Sequence, residues 1–167
     1  MITRRSFAAL TAGIAATTLF GRYLRFAEAD AAESGKRFPV MKTDAEWREA
    51  LTPAQYEVLR QEGTEPPYTS SLNDEHRKGV FACAGCEQQA FRSETKFDSR
   101  TGWPSFYAPI DGAVVTDEDR SYGMRRTKVS CSRCGGHLGH VFEDGPKPTG
   151  LRYCMNGVAL TFAPAQA

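Results

Sequence analysis

The apolar positions of this chain change period at Gly63. Before it, Trp47 and Leu51, then Tyr56 and Leu59, recur three or four residues apart among polar neighbours, the spacing of a helix face turned to a core. Capping boxes mark where the two helices begin. In Thr43-Asp-Ala-Glu46 and Thr52-Pro-Ala-Gln55 the threonine accepts from an early backbone N–H while the Glu or Gln reaches back. Pro53 takes the first helical position and Gly63 stands just past the end, as helix asymmetry prefers. Beyond Gly63 the apolar residues come in short runs broken by Gly, Pro and Asp. The runs 79–82, 89–92, 106–108, 113–116, 122–130, 140–143, 151–155 and 159–162 predict strands. Strands at such spacing predict a mainly β, antiparallel body rather than alternating βα units.

The first residues follow neither pattern. Met1-Ile-Thr-Arg4-Arg5-Ser-Phe7 sets two arginines before an apolar run over 7–20, shorter than the roughly 20 residues that cross a bilayer. Arg22 and Arg25 close the run, and Ala27-Glu28-Ala29 offers a small-x-small cleavage pattern. Thr-Arg-Arg-Ser-Phe resembles the twin-arginine export signal, a receptor-read address. Residues 1–29 are thus expected to direct the protein to the periplasm, with 30–42 a polar linker and 43–167 the folded domain. The alternative is an uncleaved signal that anchors the chain to the membrane, facing the periplasm. The 167 residues suit one domain plus a tail, and a net charge of +1 leaves no electrostatic footprint for nucleic acid. The basic run 125–128 reads as a solvated strand face.

Five cysteines divide four and one. Cys83 with Cys86, and Cys131 with Cys134, form two Cys-x-x-Cys turns in which small residues let both sulfurs point inward. Four thiolates in two close pairs satisfy one tetrahedral zinc ion. The pairs lie much further apart than the roughly 15–20 residues of a compact zinc ribbon, so the metal would join two distant hairpins. Two disulfides are the rival arrangement after export. A protein exported already folded, as twin-arginine substrates are, would however take up its metal in the reducing cytoplasm. Iron suits the same four sulfurs. A thioredoxin-like redox role lacks its βαβ setting, and haem attachment lacks the His directly after the second cysteine.

Cys154, in LRYCMN, is the sulfur left over. An unpaired cysteine is ordinarily a small buried apolar residue. Here Arg152 lies two residues earlier on the same face of an extended strand, where its charge favours the thiolate, and Asn156 follows on that face as an amide donor. Upstream, in HLGHVFEDGP, His137, His140 and Asp144 complete a candidate Cys–His site with a carboxylate to orient an imidazole. His76 sits in a hydrophilic run and reads as a surface residue, while Gly102-Trp103-Pro104 is turn chemistry that presents an aromatic face.

Taken together, GTEPPY (63–68), the two knuckles, KFDS and TGWPSF (96–106), HLGHVFEDGPKPTGLRYCMN (137–156) and the tail to Phe162 resemble the B-type methionine sulfoxide reductases over residues 43–162. The resemblance implies two antiparallel sheets in a tent-like or barrel-like body with N-terminal helices. It implies reduction of methionine-R-sulfoxide in oxidised proteins or peptides, with Cys154 as nucleophile and His137, His140, Asp144, Asn156 and Arg152 around it. Trp103, with Phe106, would bind substrate, and Cys83, Cys86, Cys131 and Cys134 would hold one structural zinc. Thr101 departs from the pattern, because many relatives carry a resolving cysteine there. The Cys154 sulfenic acid is therefore expected to need an external thioredoxin-like or small-thiol reductant, in a protein that acts as a monomer. Gly157 is a second, lesser departure, serine being frequent at that place. A non-enzymatic zinc-knuckle module that binds a protein partner is the rival, but it leaves Cys154, both histidines and Trp103 without a purpose.

Overall fold

The computed structural model describes residues 37–166. The export signal expected over 1–29 lies outside them. Helices α1 (Asp44–Ala50) and α2 (Pro53–Gln61) begin at their capping boxes, both of which close in both directions. The Thr43 N–H donates to Glu46 at 2.7 Å, and the Thr52 N–H donates to Gln55 at 3.0 Å. The second helix ends one residue earlier than its glycine suggests. Glu62 adopts the left-handed conformation and the Gly63 N–H donates to the Glu57 carbonyl at 2.9 Å. Trp47, Leu51, Tyr56 and Leu59 are all buried, and Val58 joins them.

The strands are β1 (Gly79–Cys83), β2 (Gln89–Arg92), β3 (Lys96–Phe97), β4 (Ser105–Phe106), β5 (Val114–Asp119), β6 (Arg126–Cys131), β7 (His137–Phe142), β8 (Arg152–Met155) and β9 (Leu160–Pro164). They pair antiparallel in two sheets, one ordered β2-β1-β9 and the other β3-β4-β8-β7-β6-β5. Aromatic rings join the sheets: Phe81 and Phe91 from the smaller meet Phe106 from the larger at 5.0 and 4.4 Å between centroids. Such contacts bury apolar surface at roughly 25 cal/mol per Å², the main stabilising term of the body. The strand expected over 122–130 begins only at Arg126, because Ser121–Gly123 form a tight turn with Tyr122 left-handed. The linker expected over 30–42 is docked in its described part. The Val40 N–H donates to the Arg133 carbonyl at 2.8 Å, and Phe38 lies against Gly135.

Candidate active site and metal centre

The two Cys-x-x-Cys turns are built alike. In each, the first cysteine's N–H donates to the carbonyl five residues on, Cys83 to Gln88 and Cys131 to Gly136, at 2.8 and 2.9 Å. The residue four on, Glu87 or Gly135, is left-handed and donates back to that cysteine's carbonyl. One turn follows β1 in the smaller sheet and the other joins β6 to β7 in the larger, so the sulfurs meet between the sheets. Cys83 and Cys134 sulfurs stand 3.7 Å apart, Cys86 and Cys131 3.5 Å, and all four lie within 4.8 Å. A tetrahedral ion with bonds of about 2.3 Å places its sulfurs about 3.8 Å apart, so the spacing fits a metal ion. Contact with Cys131 is the largest cause holding the Cys83 and Cys134 thiols well above their ordinary range. Those two thiols keep protons that a divalent cation would displace, while contact with Cys134 holds Cys131 far below its ordinary range. All five cysteines are free thiols, and Cys154 is not in the cluster.

Cys154 stands at the centre of the larger sheet. It pairs with Ser105 of β4 on one side and His140 of β7 on the other. Residues directly opposite in antiparallel strands share a face, so one surface carries Ser105, Cys154 and His140, and Arg152 two residues from Cys154. Arg152 is clamped by Asp144 through two hydrogen bonds of 2.8 Å and lies over the Phe142 ring. That grip raises Arg152 further and lowers Asp144. Burial pushes the Cys154 thiol up, while the Thr101 hydroxyl and the Arg152 charge pull it down. His140 Nε2 is 2.8 Å from Asp119 Oδ2. Backbone and side-chain hydrogen bonds from Ser121 come first in holding Asp119 far below the usual carboxylate range, so it is ionised and accepts from Nε2–H. Nδ1 of His140 then carries the free lone pair. Burial lowers the His140 pKa and the Asp119 bond opposes that.

Three expected roles change. Asp144 does not orient an imidazole; it holds Arg152, because the loop after β7 returns it beside β8. Asn156 does not donate to Cys154. It is buried, its amide donating to the Leu138 carbonyl at 3.2 Å and its oxygen accepting from the Glu65 N–H at 3.0 Å. Phe106 is not at the site: it pairs with Tyr153, one residue from the Ser105–Cys154 pair, so it points to the opposite face and is fully buried on Phe91. His137 is brought close, its ring edge-on to His140 at 5.2 Å, yet neither nitrogen has a protein partner and burial drives it down to about 4. Trp103 is half-buried and pinned by its indole N–H to the Glu65 carbonyl at 3.0 Å. Gly102 lets that loop pass close to the GTEPPY segment, because a Cβ there would lie 2.7 Å from Pro67 in a left-handed backbone.

A family model described as the SelR domain matches residues 51–164. Named "Peptide methionine sulfoxide reductase MsrB" are a Methanosarcina barkeri protein, 58% identical over 124 residues, and a Leptospira interrogans protein, 53% identical over 126 residues. The first alignment covers 74% of this chain and 87% of that protein; the second covers 75% and 96%. This chain belongs to the methionine sulfoxide reductase B family. A Mis18 "Yippee-like" domain crystal structure is also similar, at TM-score 0.45 and 19% identity, covering 55% of this chain and 100% of that one.

Within this methionine sulfoxide reductase B family member, two further residues complete the site, and sequence reasoning passed over both. Asp119 has no motif and lies 21 positions from His140; only its pairing opposite Arg126 brings it there. Glu65 sits inside the quoted GTEPPY segment, and its carboxylate accepts from the Gly157 and Val158 N–H groups just beyond Cys154.

Proposed function

We propose that this protein reduces methionine-R-sulfoxide in oxidised proteins and peptides to methionine, with Cys154 as nucleophile. The observation that carries the reading is one sheet face that gathers an unpaired thiol, a clamped arginine and an Asp119-oriented His140, in a chain of this family. The Cys154 thiolate attacks the sulfoxide sulfur, whose oxygen must take up a proton as its bond to sulfur breaks. With Nε2–H engaged by Asp119, the lone pair of His140 Nδ1 takes up the proton that the Cys154 thiol loses and passes it to that oxygen. Arg152 favours the thiolate by its charge. Trp103, fixed through Glu65, supplies an aromatic face for the substrate methyl group. The hydroxyl so formed passes to the Cys154 sulfur as the sulfur–sulfur bond breaks, so methionine leaves and Cys154, oxidised by two electrons, is left as a sulfenic acid.

Cys83, Cys86, Cys131 and Cys134 hold one structural zinc ion, which ties the two sheets together. With those sulfurs engaged and Thr101 in the resolving position, no thiol of the chain is left to pair with Cys154. A thioredoxin-like protein or a small dithiol therefore reduces the sulfenic acid: one thiol forms a mixed disulfide and releases water, the second frees Cys154. We further infer that the protein acts as a monomer, and that residues 1–29 are a twin-arginine signal exporting it, already folded around its metal, to the periplasm.

The test is turnover on a peptide carrying separated R or S sulfoxide epimers, with external dithiol. The R epimer should be consumed, the S epimer spared, and Cys154→Ser inactive. Absence of R-specific turnover would sink the reading. An intramolecular disulfide to Cys154 trapped during turnover would remove the external-reductant step.

A further inference from the structure

Three hydroxyls that the chemistry above does not use run in a line from Cys154. Thr101 Oγ1 is 3.8 Å from Cys154 Sγ, Ser99 Oγ is 2.8 Å from Thr101 Oγ1, and Ser105 Oγ is 2.7 Å from Ser99 Oγ. The line ends where Ser105 donates to the Trp103 carbonyl at 3.1 Å. Ser105 is fully buried and stands directly opposite Cys154 in the β4–β8 pairing.

Each hydroxyl has one proton, which fixes the direction of the whole line. The Trp103 carbonyl can only accept, so the Ser105 proton is spent on it. Ser99 must then donate to Ser105, and Thr101 to Ser99. Thr101 is left facing Cys154 with a lone pair, which suits an S–H donor. A thiolate is an acceptor only, and the same three hydroxyls serve it by turning round. Thr101 then donates to Sγ, Ser99 to Thr101 and Ser105 to Ser99, and the Trp103 carbonyl is released. No heavy atom moves and no proton travels along the line; three hydroxyl torsions rotate.

We propose that Thr101, Ser99 and Ser105 are positioning residues for Cys154, a hydroxyl chain that reverses its donors as the sulfur passes between thiol and thiolate. The reversal favours the thiolate because a hydrogen bond to an ionised acceptor is roughly twice as strong as a neutral one. Burial raises the Cys154 thiol, and the contacts with Thr101 and Ser105 both act against that rise. Threonine at position 101 thus keeps a donor beside the sulfur while offering it no disulfide partner. Reversal also couples the state of Cys154 to the backbone of Trp103.

The proposal rests on Cys154 being the nucleophile, and its test is independent of turnover. In the full-length, metal-bound protein Cys154 is the one thiol outside the four-sulfur cluster, so iodoacetamide alkylation at that residue is followed against pH by mass spectrometry. The other groups around it stay in place: His140 with Asp119 from β7 and β5, and Arg152 with Asp144 from β8 and the loop before it. Thr101→Val, which keeps the shape and loses the hydroxyl, should slow alkylation at neutral pH about tenfold and move the profile up by about one pH unit. Thr101→Ser should stay within about twofold of wild type, a rescue that a purely steric role would not produce. Ser99→Ala breaks the second link without touching Sγ and should slow the reaction about threefold. A wild-type profile for Thr101→Val or Ser99→Ala overturns the proposal, as does Thr101→Ser as slow as Thr101→Val. Should Thr101→Val not fold, Ser99→Ala decides alone. Loss of R-epimer turnover in the wild type would instead count against the reductase reading.

Discussion

Lowering the pH from 8 to 5 should destabilise this protein through His137, and replacing that residue should remove the effect. The ring is 2% exposed, packs edge-on to His140 and has no protein partner at either nitrogen. Burial, the largest cause, brings its pKa from the usual 6.5 down to about 4. The unfolded chain therefore binds a proton between those values that the folded chain refuses. Stability is unaffected above the unfolded pKa and falls as the pH drops through that window. Evaluated at pH 5, the difference between the two binding curves amounts to about 2 kcal/mol. The assay is urea unfolding of wild type and His137→Leu with metal present, at both pH values. Comparing the proteins at one pH cancels the carboxylates and metal thiolates they share. His137→Leu should gain on wild type by about 2 kcal/mol between pH 8 and pH 5, roughly 1 M in urea midpoint. A difference between the two proteins that does not change with pH would show that the buried ring is not the group responsible.

Two other outcomes test the framework around the site. A Cβ at Gly157 would lie 1.9 Å from Ser70 Oγ and 2.5 Å from Ser70 Cβ, so Gly157→Ser should cost about 1–3 kcal/mol in thermal or urea melts. Adding Ser70→Gly should recover most of that loss, and a double variant no more stable than Gly157→Ser would show that the clash lies elsewhere. Stripping the metal with a chelator should abolish cooperative unfolding, because a structural four-cysteine zinc site contributes on the order of 10 kcal/mol. Circular dichroism with metal analysis checks this, Cys83→Ser should behave alike, and a metal-free protein that melts cooperatively near the holo temperature would contradict it.

Local chemistry explains how much of this fold is legible from residues alone. A capping box is satisfied within four residues, so Thr43 and Thr52 announce their helices, and a Cys-x-x-Cys turn encloses its own hydrogen bonds, so both knuckles are visible before any folding. The alternation of short apolar runs placed most strands, but the two-residue strand Lys96–Phe97 is too short to leave a periodic signal, and the strand expected over 106–108 is paired only at Ser105–Phe106. Long, ordered motifs likewise singled out Cys154, Arg152, His140 and Trp103.

What the residues alone could not settle is which side chain meets which across strands. The carboxylate nearest in sequence to the histidines, Asp144, turned to Arg152, while Asp119 reached His140 through the β5–β6–β7 pairing. Phe106 and Ser105 are neighbours in the chain, yet the pleat sends one into the core and the other beside Cys154. Composition and local pattern marked most elements, the four clustered cysteines and the candidate nucleophile, because each of those is a property of a few adjacent residues. Strand register decided the partners, because it is set by packing over the whole sheet, and a single step in it exchanges the two faces.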